Sequence, residues 1–149
     1  MNFKPADPGF DARVRASFSR QKFMATIGAE IAGLSAGSVH LRMKIRDDLT
    51  QQHGFLHAGA LASLADSACG YAALTLMPAD AAVLSIEFKI NMLSPARGDS
   101  VIARAEVIRA GKTIMACRAD VSSVNDTGEK LVAAMQGTMM VVRDAGLSD

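Results

Sequence analysis

Apolar and polar residues alternate along most of this chain, which is the pattern of half-buried β-strands. The alternation covers 39–45, 83–90, 101–110, 113–124 and 130–142. Short segments containing Gly, Asp or Asn separate the later stretches, as expected of hairpin turns. A further, shorter strand is predicted before a turn at 33–37. The sequence therefore predicts two short strands early in the chain and four strands in hairpin succession later.

The segment 57–77 breaks this alternation, because it is apolar and rich in alanine, with Asp66 as its only charge. It predicts a helix from about Ala58 to Leu76, ended by Pro78. A helix that is apolar nearly all round needs burial on most sides, and one sheet cannot provide that cover. We therefore expect an α+β fold with an antiparallel sheet wrapped around a long central helix, and at least a homodimer in which a second helix completes the cover.

A shorter helix is predicted near the start of the chain. From Asp11 to about Met24, charges mix with apolar residues at Val14 and Phe18, as in an amphipathic surface helix. A chain of 149 residues fits one core, so we expect a single domain over 1–149 in which 1–24 is an N-terminal extension.

The composition excludes several classes of function. Sixteen basic residues against fifteen acidic ones make nucleic acid an unexpected partner. The N-terminus has no apolar signal segment, and the longest apolar stretch is interrupted by Asp66, so we expect a cytoplasmic protein without a membrane span. Cys69, Cys117 and the histidines lack the spacing of a metal site, so no metal is expected.

Asp66 is the first candidate for chemistry, because an unpaired carboxylate in an apolar helix costs several kcal/mol. The N-terminus of that helix is the second, since its N–H groups and dipole favour an anion. Gly59 and Asp66 are seven residues apart, which is ~10 Å along one helix axis, so they cannot both reach one carbonyl group. Two antiparallel helices of a dimer would bring the N-terminus of one level with the carboxylate of the other.

Three ordered motifs lie within roughly 28–142. The first is Gln51-Gln52-His53-Gly54-Phe55-Leu56-His57-Ala58-Gly59 with Asp66 seven residues on, and the others are the strand and turn LSIEFKINMLSPARGD and the hairpin VIRAGKT. Together they resemble the PaaI-like group of hotdog-fold acyl-CoA thioesterases, whose first motif is Asn-x-x-Gly-x-x-His-Gly-Gly followed by Asp. Gln51 replaces Asn with a longer amide side chain, and Ala58 replaces Gly but keeps the backbone N–H, provided that its φ is negative.

The resemblance implies hydrolysis of the thioester bond of an acyl-CoA, without metal or cofactor, by a homodimer or tetramer. Asp66 would be the nucleophile or the general base that activates water. The backbone N–H of Ala58 or Gly59 would hold the thioester oxygen. The supporting residues would be Gln51 to orient the carbonyl or the water, His57 to shape the oxyanion site, and Ser85 from the neighbouring strand of the partner chain.

Three cations in or near turns are candidates for binding the phosphates of CoA: Arg97, Arg109 and Lys112. One Tyr and no Trp favour an aliphatic acyl group of medium to long chain. The alternatives are an aryl-acyl-CoA thioesterase (phenylacetyl-CoA-like), a non-catalytic acyl-CoA-binding protein of the same fold, and a hotdog hydratase or dehydratase. The sequence leaves open the chain length, the choice between CoA and acyl carrier protein, and the choice between dimer and tetramer.

Overall fold

The computed structural model describes residues 3–143 and 146–147. Its elements are α1 (Phe10–Arg20), α2 (Lys22–Ile27), β1 (Ala29–Ser35), β2 (Ser38–Lys44), a 3₁₀ turn (Asp47–Leu49), α3 (Ala58–Leu74), β3 (Ala82–Met92), β4 (Ser100–Ala110), β5 (Ile114–Asn125) and β6 (Gly128–Val142). The six strands form one sheet in the order β1-β2-β4-β5-β6-β3, with every neighbouring pair antiparallel. α3 packs against all six strands. The predicted architecture, an antiparallel sheet wrapped around a central helix, is confirmed. The prediction that the four later strands follow one another as hairpins is wrong for β3, which pairs with β6 and not with β4.

Arg13 of α1 holds the C-terminal end of α3. Its guanidinium donates hydrogen bonds to the carbonyl oxygens of Leu74 at 2.9 Å, Met77 at 2.8 Å and Pro78, and its Nε lies 3.4 Å from the Asp7 carboxylate. The last carbonyls of a helix have no partner within the helix, and a cation there also complements the helix dipole. The helix ends at Leu74 rather than at the predicted Leu76, and this cap satisfies its end.

The single helix predicted over 11–24 is instead two helices, α1 and α2, which meet at Gln21. Gln21 has an extended backbone, with φ −79° and ψ 93°. The break lets Phe18 pack edge-on against Tyr71 of α3, with ring centroids 5.5 Å apart, while Met24 beyond the break is buried in the core. One straight helix would not allow both Phe18 and Met24 to make these contacts. The packing of Phe18 on Tyr71 cannot be seen in the local sequence pattern.

The turn predicted at 33–37 is shorter than expected. β1 runs through Ser35, and only Ala36 and Gly37 separate it from β2. Gly37 has φ 79°, in the left-handed region that glycine adopts without strain. The two early strands therefore form a tight hairpin, as predicted, but its turn is confined to Ala36 and Gly37.

β3 is an edge strand that exposes large apolar side chains. Leu84, Ile86 and Phe88 are 50%, 49% and 43% exposed, and β3 pairs only with β6 among the described strands. A long, apolar edge strand is an expected site of association with another chain. Within the described residues, no helix is both long and apolar enough to cross a membrane.

Candidate active site

Asp66 lies half-buried in the middle of α3, beside the start of β3. The Ser85 hydroxyl donates a hydrogen bond to Asp66 Oδ1 at 2.7 Å and lies 3.4 Å from Met139 Sδ. An irregularity in the β3–β6 register falls between Ser85 and Glu87, so the strand bends next to this contact. The contact lies within one chain and gives Asp66 a hydrogen-bond partner. The approach of Ser85 to the helix N-terminus of a partner chain stays a prediction.

Burial raises the pKa of the Asp66 carboxyl above its ordinary value, and the Ser85 hydrogen bond opposes that rise. Burial is the larger effect, because removing a carboxylate from water disfavours the charged form. A carboxylate with a raised pKa is a stronger base than an exposed one. Asp66 is therefore suited to accept a proton during a reaction.

His57 caps the N-terminus of α3. Its Nδ1 accepts the Gly59 N–H at 2.8 Å, and its carbonyl oxygen accepts the N–H groups of Ala60 at 3.0 Å and Leu61 at 3.3 Å. Within the part of the chain that the structure describes, the Ala58 N–H has no acceptor. Of the two predicted oxyanion donors, Gly59 is used by the cap and Ala58 is available, and Ala58 has the negative φ of a helical residue.

Gln51 lies in the loop that leads to this N-terminus. Its Oε1 accepts the His53 N–H, and its backbone N–H donates to the Phe55 carbonyl oxygen at 2.9 Å. Gln51 and Ala58 line the same cavity, of about 350 Å³, whose other walls are mainly apolar and include Leu61, Met92 and Leu93. Cavities of this size hold small ligands in many proteins. The first group of site residues is therefore Gln51, His57 and Ala58 beside an apolar cavity.

A second, smaller cavity of about 110 Å³ lies beside Asp66. Its lining is Gln21, Asp66, Ser67, Gly70, Tyr71, Val83 and Ser85. Gln21, Ser67 and Tyr71 are not among the site residues predicted from the sequence. Of these three, only Ser67 could have been inferred from the sequence, because it directly follows Asp66 on the apolar helix.

The two groups of residues are separated along α3. Ala58 and Asp66 are eight residues apart, which is ~12 Å along the axis. Neither cavity contains both. One chain thus brings Asp66 to Ser85, and Gln51 to His57 and Ala58, but it does not bring the carboxylate to the free N–H.

The three cations predicted to bind CoA are also separated. Arg97 precedes β4 and stacks its guanidinium 4.0 Å from the centre of the Phe55 ring, at the end of the sheet where α3 begins, since Leu56 N–H donates to Ala96 O. Arg109 and Lys112 lie at the other end of the eleven-residue β4, ~36 Å away for an extended strand. One chain does not place all three around one ligand.

The cysteines offer no nucleophile. Burial raises the pKa of both thiols, that of Cys117 to about 12, so neither is ionised near neutral pH. Among residues 3–143 and 146–147, no cluster of His, Cys, Asp and Glu could hold a metal ion.

Comparison with known proteins gives the family. The sequence profile of the Thioesterase superfamily matches residues 53–130. A thioesterase family protein from Silicibacter pomeroyi has a crystal structure with TM-score 0.89 and 47% identity, covering 91% of this chain and 99% of that one. Acyl-coenzyme A thioesterase 13 from Homo sapiens is 28% identical over 80% of this chain and 85% of its own length. The 1,4-dihydroxy-2-naphthoyl-CoA hydrolase of Listeria monocytogenes is 28% identical over 78% of this chain and 92% of its own length.

Proposed function

Because the chain belongs to the thioesterase superfamily and is a thioester hydrolase, we propose that its substrate is an acyl-CoA with a medium- to long-chain aliphatic acyl group. The observation that carries this proposal is the apolar cavity of about 350 Å³ whose lining includes Ala58, the residue with the free N–H. An acyl chain in this cavity has its thioester carbonyl beside the helix N-terminus. The relative named acyl-coenzyme A thioesterase 13 supports the same substrate class.

The proposed reaction uses the Ala58 N–H and the Asp66 carboxylate. The N–H donates to the carbonyl oxygen, which gains negative charge when the carbon is attacked, and the helix dipole stabilises that charge. Asp66 supplies the attacking group, either as the nucleophile or as the base that deprotonates water. Gln51 lines the same cavity as Ala58 and orients the carbonyl, and His57 holds the N-terminus in place through its cap.

The site is completed, in this proposal, by a second copy of the chain. The less buried side of the first turns of α3 carries the small residues Gly59, Ala62 and Ser63, which are exposed or half-buried, so another helix could approach it closely. The apolar edge of β3 runs beside it and provides the area to bury. A two-fold axis near the middle of the 58–66 segment sets Ala58 of one chain level with Asp66 of the other. Further pairing of dimers into tetramers stays a prediction.

The same symmetry bears on CoA binding. Since one chain does not place all three cations around one ligand, Arg109 and Lys112 would have to come from the partner of the chain that supplies Arg97. We propose that these three cations bind the phosphates of one CoA, with Arg97 kept in position by the Phe55 ring.

An aryl-acyl-CoA is the second candidate substrate, because one relative carries the name of a naphthoyl-CoA hydrolase. The ring of Phe55 at the apolar cavity could contact an aromatic acyl group. The remaining apolar lining is aliphatic, which favours the first candidate. The non-catalytic binding protein and the hydratase are set aside by the chain's membership of the thioesterase superfamily.

A panel of acyl-CoAs assayed for thiol release tests the substrate proposal. We expect kcat/KM to rise with saturated chain length by about fourfold per methylene until the cavity is full, because each buried methylene is worth about 0.8 kcal/mol. Phenylacetyl-CoA and benzoyl-CoA should be poorer substrates than octanoyl-CoA. Higher kcat/KM on the aryl compounds would favour the second candidate, and no thiol release from any acyl-CoA would refute the proposal.

The pH dependence of kcat/KM tests the role of Asp66. Since burial raises its pKa, activity should fall with decreasing pH through a value above the ordinary 3.8 of the carboxyl group. Ser85→Ala removes the hydrogen bond that lowers this pKa, so the fall should begin at a higher pH in that variant. An acid limb that stays in place in Ser85→Ala, or moves to lower pH, would contradict this assignment.

A further inference from the structure

The small cavity beside Asp66 has one wall that comes from the N-terminal segment. The break between α1 and α2 places Gln21 against α3, where the Ser67 hydroxyl donates to Gln21 Oε1 at 3.5 Å. The stacking of Phe18 on Tyr71 fixes this segment. Gln21 lies outside the matched family region 53–130, yet it shares a cavity with the carboxylate.

The cavity is suited to water and not to an acyl chain. At about 110 Å³, it corresponds to three or four water molecules at about 30 Å³ each. Its lining residues include Gln21, Ser67, Tyr71, Ser85 and Asp66, whose side chains end in an amide, three hydroxyls and a carboxylate. A water molecule bonds well where two to four polar groups converge, whereas an apolar chain would remove those groups from water without replacing their hydrogen bonds.

Within one chain, Asp66 borders the polar cavity and not the apolar one. Ser85 occupies its Oδ1, and the carboxylate borders the polar cavity. The apolar cavity, which is proposed to hold the acyl chain, belongs to the other group of site residues. Water in the polar cavity can thus reach Asp66 directly.

We infer that Gln21 is a positioning residue for hydrolysis, whose side-chain amide holds the attacking water in the cavity beside Asp66. The inference rests on the proposed function and selects the general-base role for Asp66. The water oxygen bonds to the thioester carbon while its proton passes to Asp66. The C–S bond then breaks, the CoA thiolate takes that proton from Asp66, and the products are the free acid and CoA.

The test replaces Gln21 with leucine, which has a similar volume and no hydrogen-bonding group. We expect Gln21→Leu to lower kcat for octanoyl-CoA by about tenfold or more, the loss that follows from removing one hydrogen bond in the transition state. KM should change by less than about twofold, because the acyl and CoA contacts are untouched. Gln21→Asn keeps the amide on a shorter side chain, so its kcat should lie between those of the wild type and Gln21→Leu.

Lys22→Leu is the matched control, since Lys22 is the exposed neighbour of Gln21 at the same break and does not line the cavity. It should keep the wild-type kcat. Thermal unfolding of each variant separates a folding defect from a kinetic one, and Gln21→Asn carries the test if Gln21→Leu does not fold.

A single turnover in H₂¹⁸O, with enzyme in excess, adds a second readout. Direct attack by the cavity water puts one ¹⁸O atom into the product acid. Unlabelled acid would overturn the inference. So would a Gln21→Leu enzyme that keeps its kcat and instead changes its preference among acyl chains, because the cavity would then be an acyl subsite. A wild-type enzyme that releases no thiol would refute the proposed function itself.

Discussion

Asp66→Asn is expected to lower turnover by about a hundredfold or more while the protein stays folded, because the amide can neither attack the thioester nor accept a proton from water. The side chain keeps its shape and its hydrogen-bonding position beside Ser85. The measurement is thiol release from an acyl-CoA under saturating conditions. Asp80→Asn, which makes the same change at an exposed carboxylate beyond α3, is the control and should remain fully active.

Asp66→Asn should keep or raise the stability of the protein at neutral pH, although it lowers turnover. Because the pKa of Asp66 is raised in the folded protein, the folded state binds the proton more tightly than the unfolded chain. Stability is therefore lost as pH rises from the unfolded pKa through the raised folded pKa. At neutral pH, Asp66→Asn should unfold at the same Tm as the wild type or a higher one, and the difference should shrink towards low pH. A folded variant with nearly normal thiol release would remove Asp66 from the mechanism.

The elements that the sequence predicts well are those whose cause is local. Alternation gave the strands because the side-chain period of a strand is two, and the apolar segment with Asp66 gave α3. The resemblance to hotdog thioesterases is confirmed by the family match. Each of the three motifs that carry it is a short run of residues and is therefore visible in the sequence. The pairing of β3 with β6 rather than with β4 depends on contacts distant in sequence, so local patterns do not reveal it.

The features of the site that the sequence did not predict depend on tertiary packing. The break at Gln21 accompanies the packing of Phe18 on Tyr71, which is a contact between residues distant in sequence. The contact of Ser85 with Asp66 of its own chain follows the bend in β3, which the sequence does not reveal. The choice between Ala58 and Gly59 as oxyanion donor depended on where the His57 ring points, which the order of residues does not fix.

A variant that removes the Ala58 N–H should be nearly inactive, and it provides the second half of a test for the shared site. Proline lacks the N–H and is favoured at the first position of a helix. His57 already has the extended backbone that a residue before proline adopts, with φ −63° and ψ 138°. Ala58→Pro should therefore fold, and it should lose about a hundredfold or more in turnover, as expected for one oxyanion donor. Ala58→Gly keeps the N–H and should remain active.

Mixed dimers of Ala58→Pro and Asp66→Asn should recover up to about half of the wild-type rate per dimer. If the N–H of one chain and the carboxylate of the other form each site, one site receives both lesions and the other site receives none. If both groups act within one chain, each site carries one lesion and nothing is recovered. The ~12 Å between the two residues along α3 favours the first outcome. The decisive measurement is thiol release by heterodimers isolated through different tags, once each parent is shown to fold and to exchange subunits. Heterodimers as inactive as their parents would show that the sites are not shared.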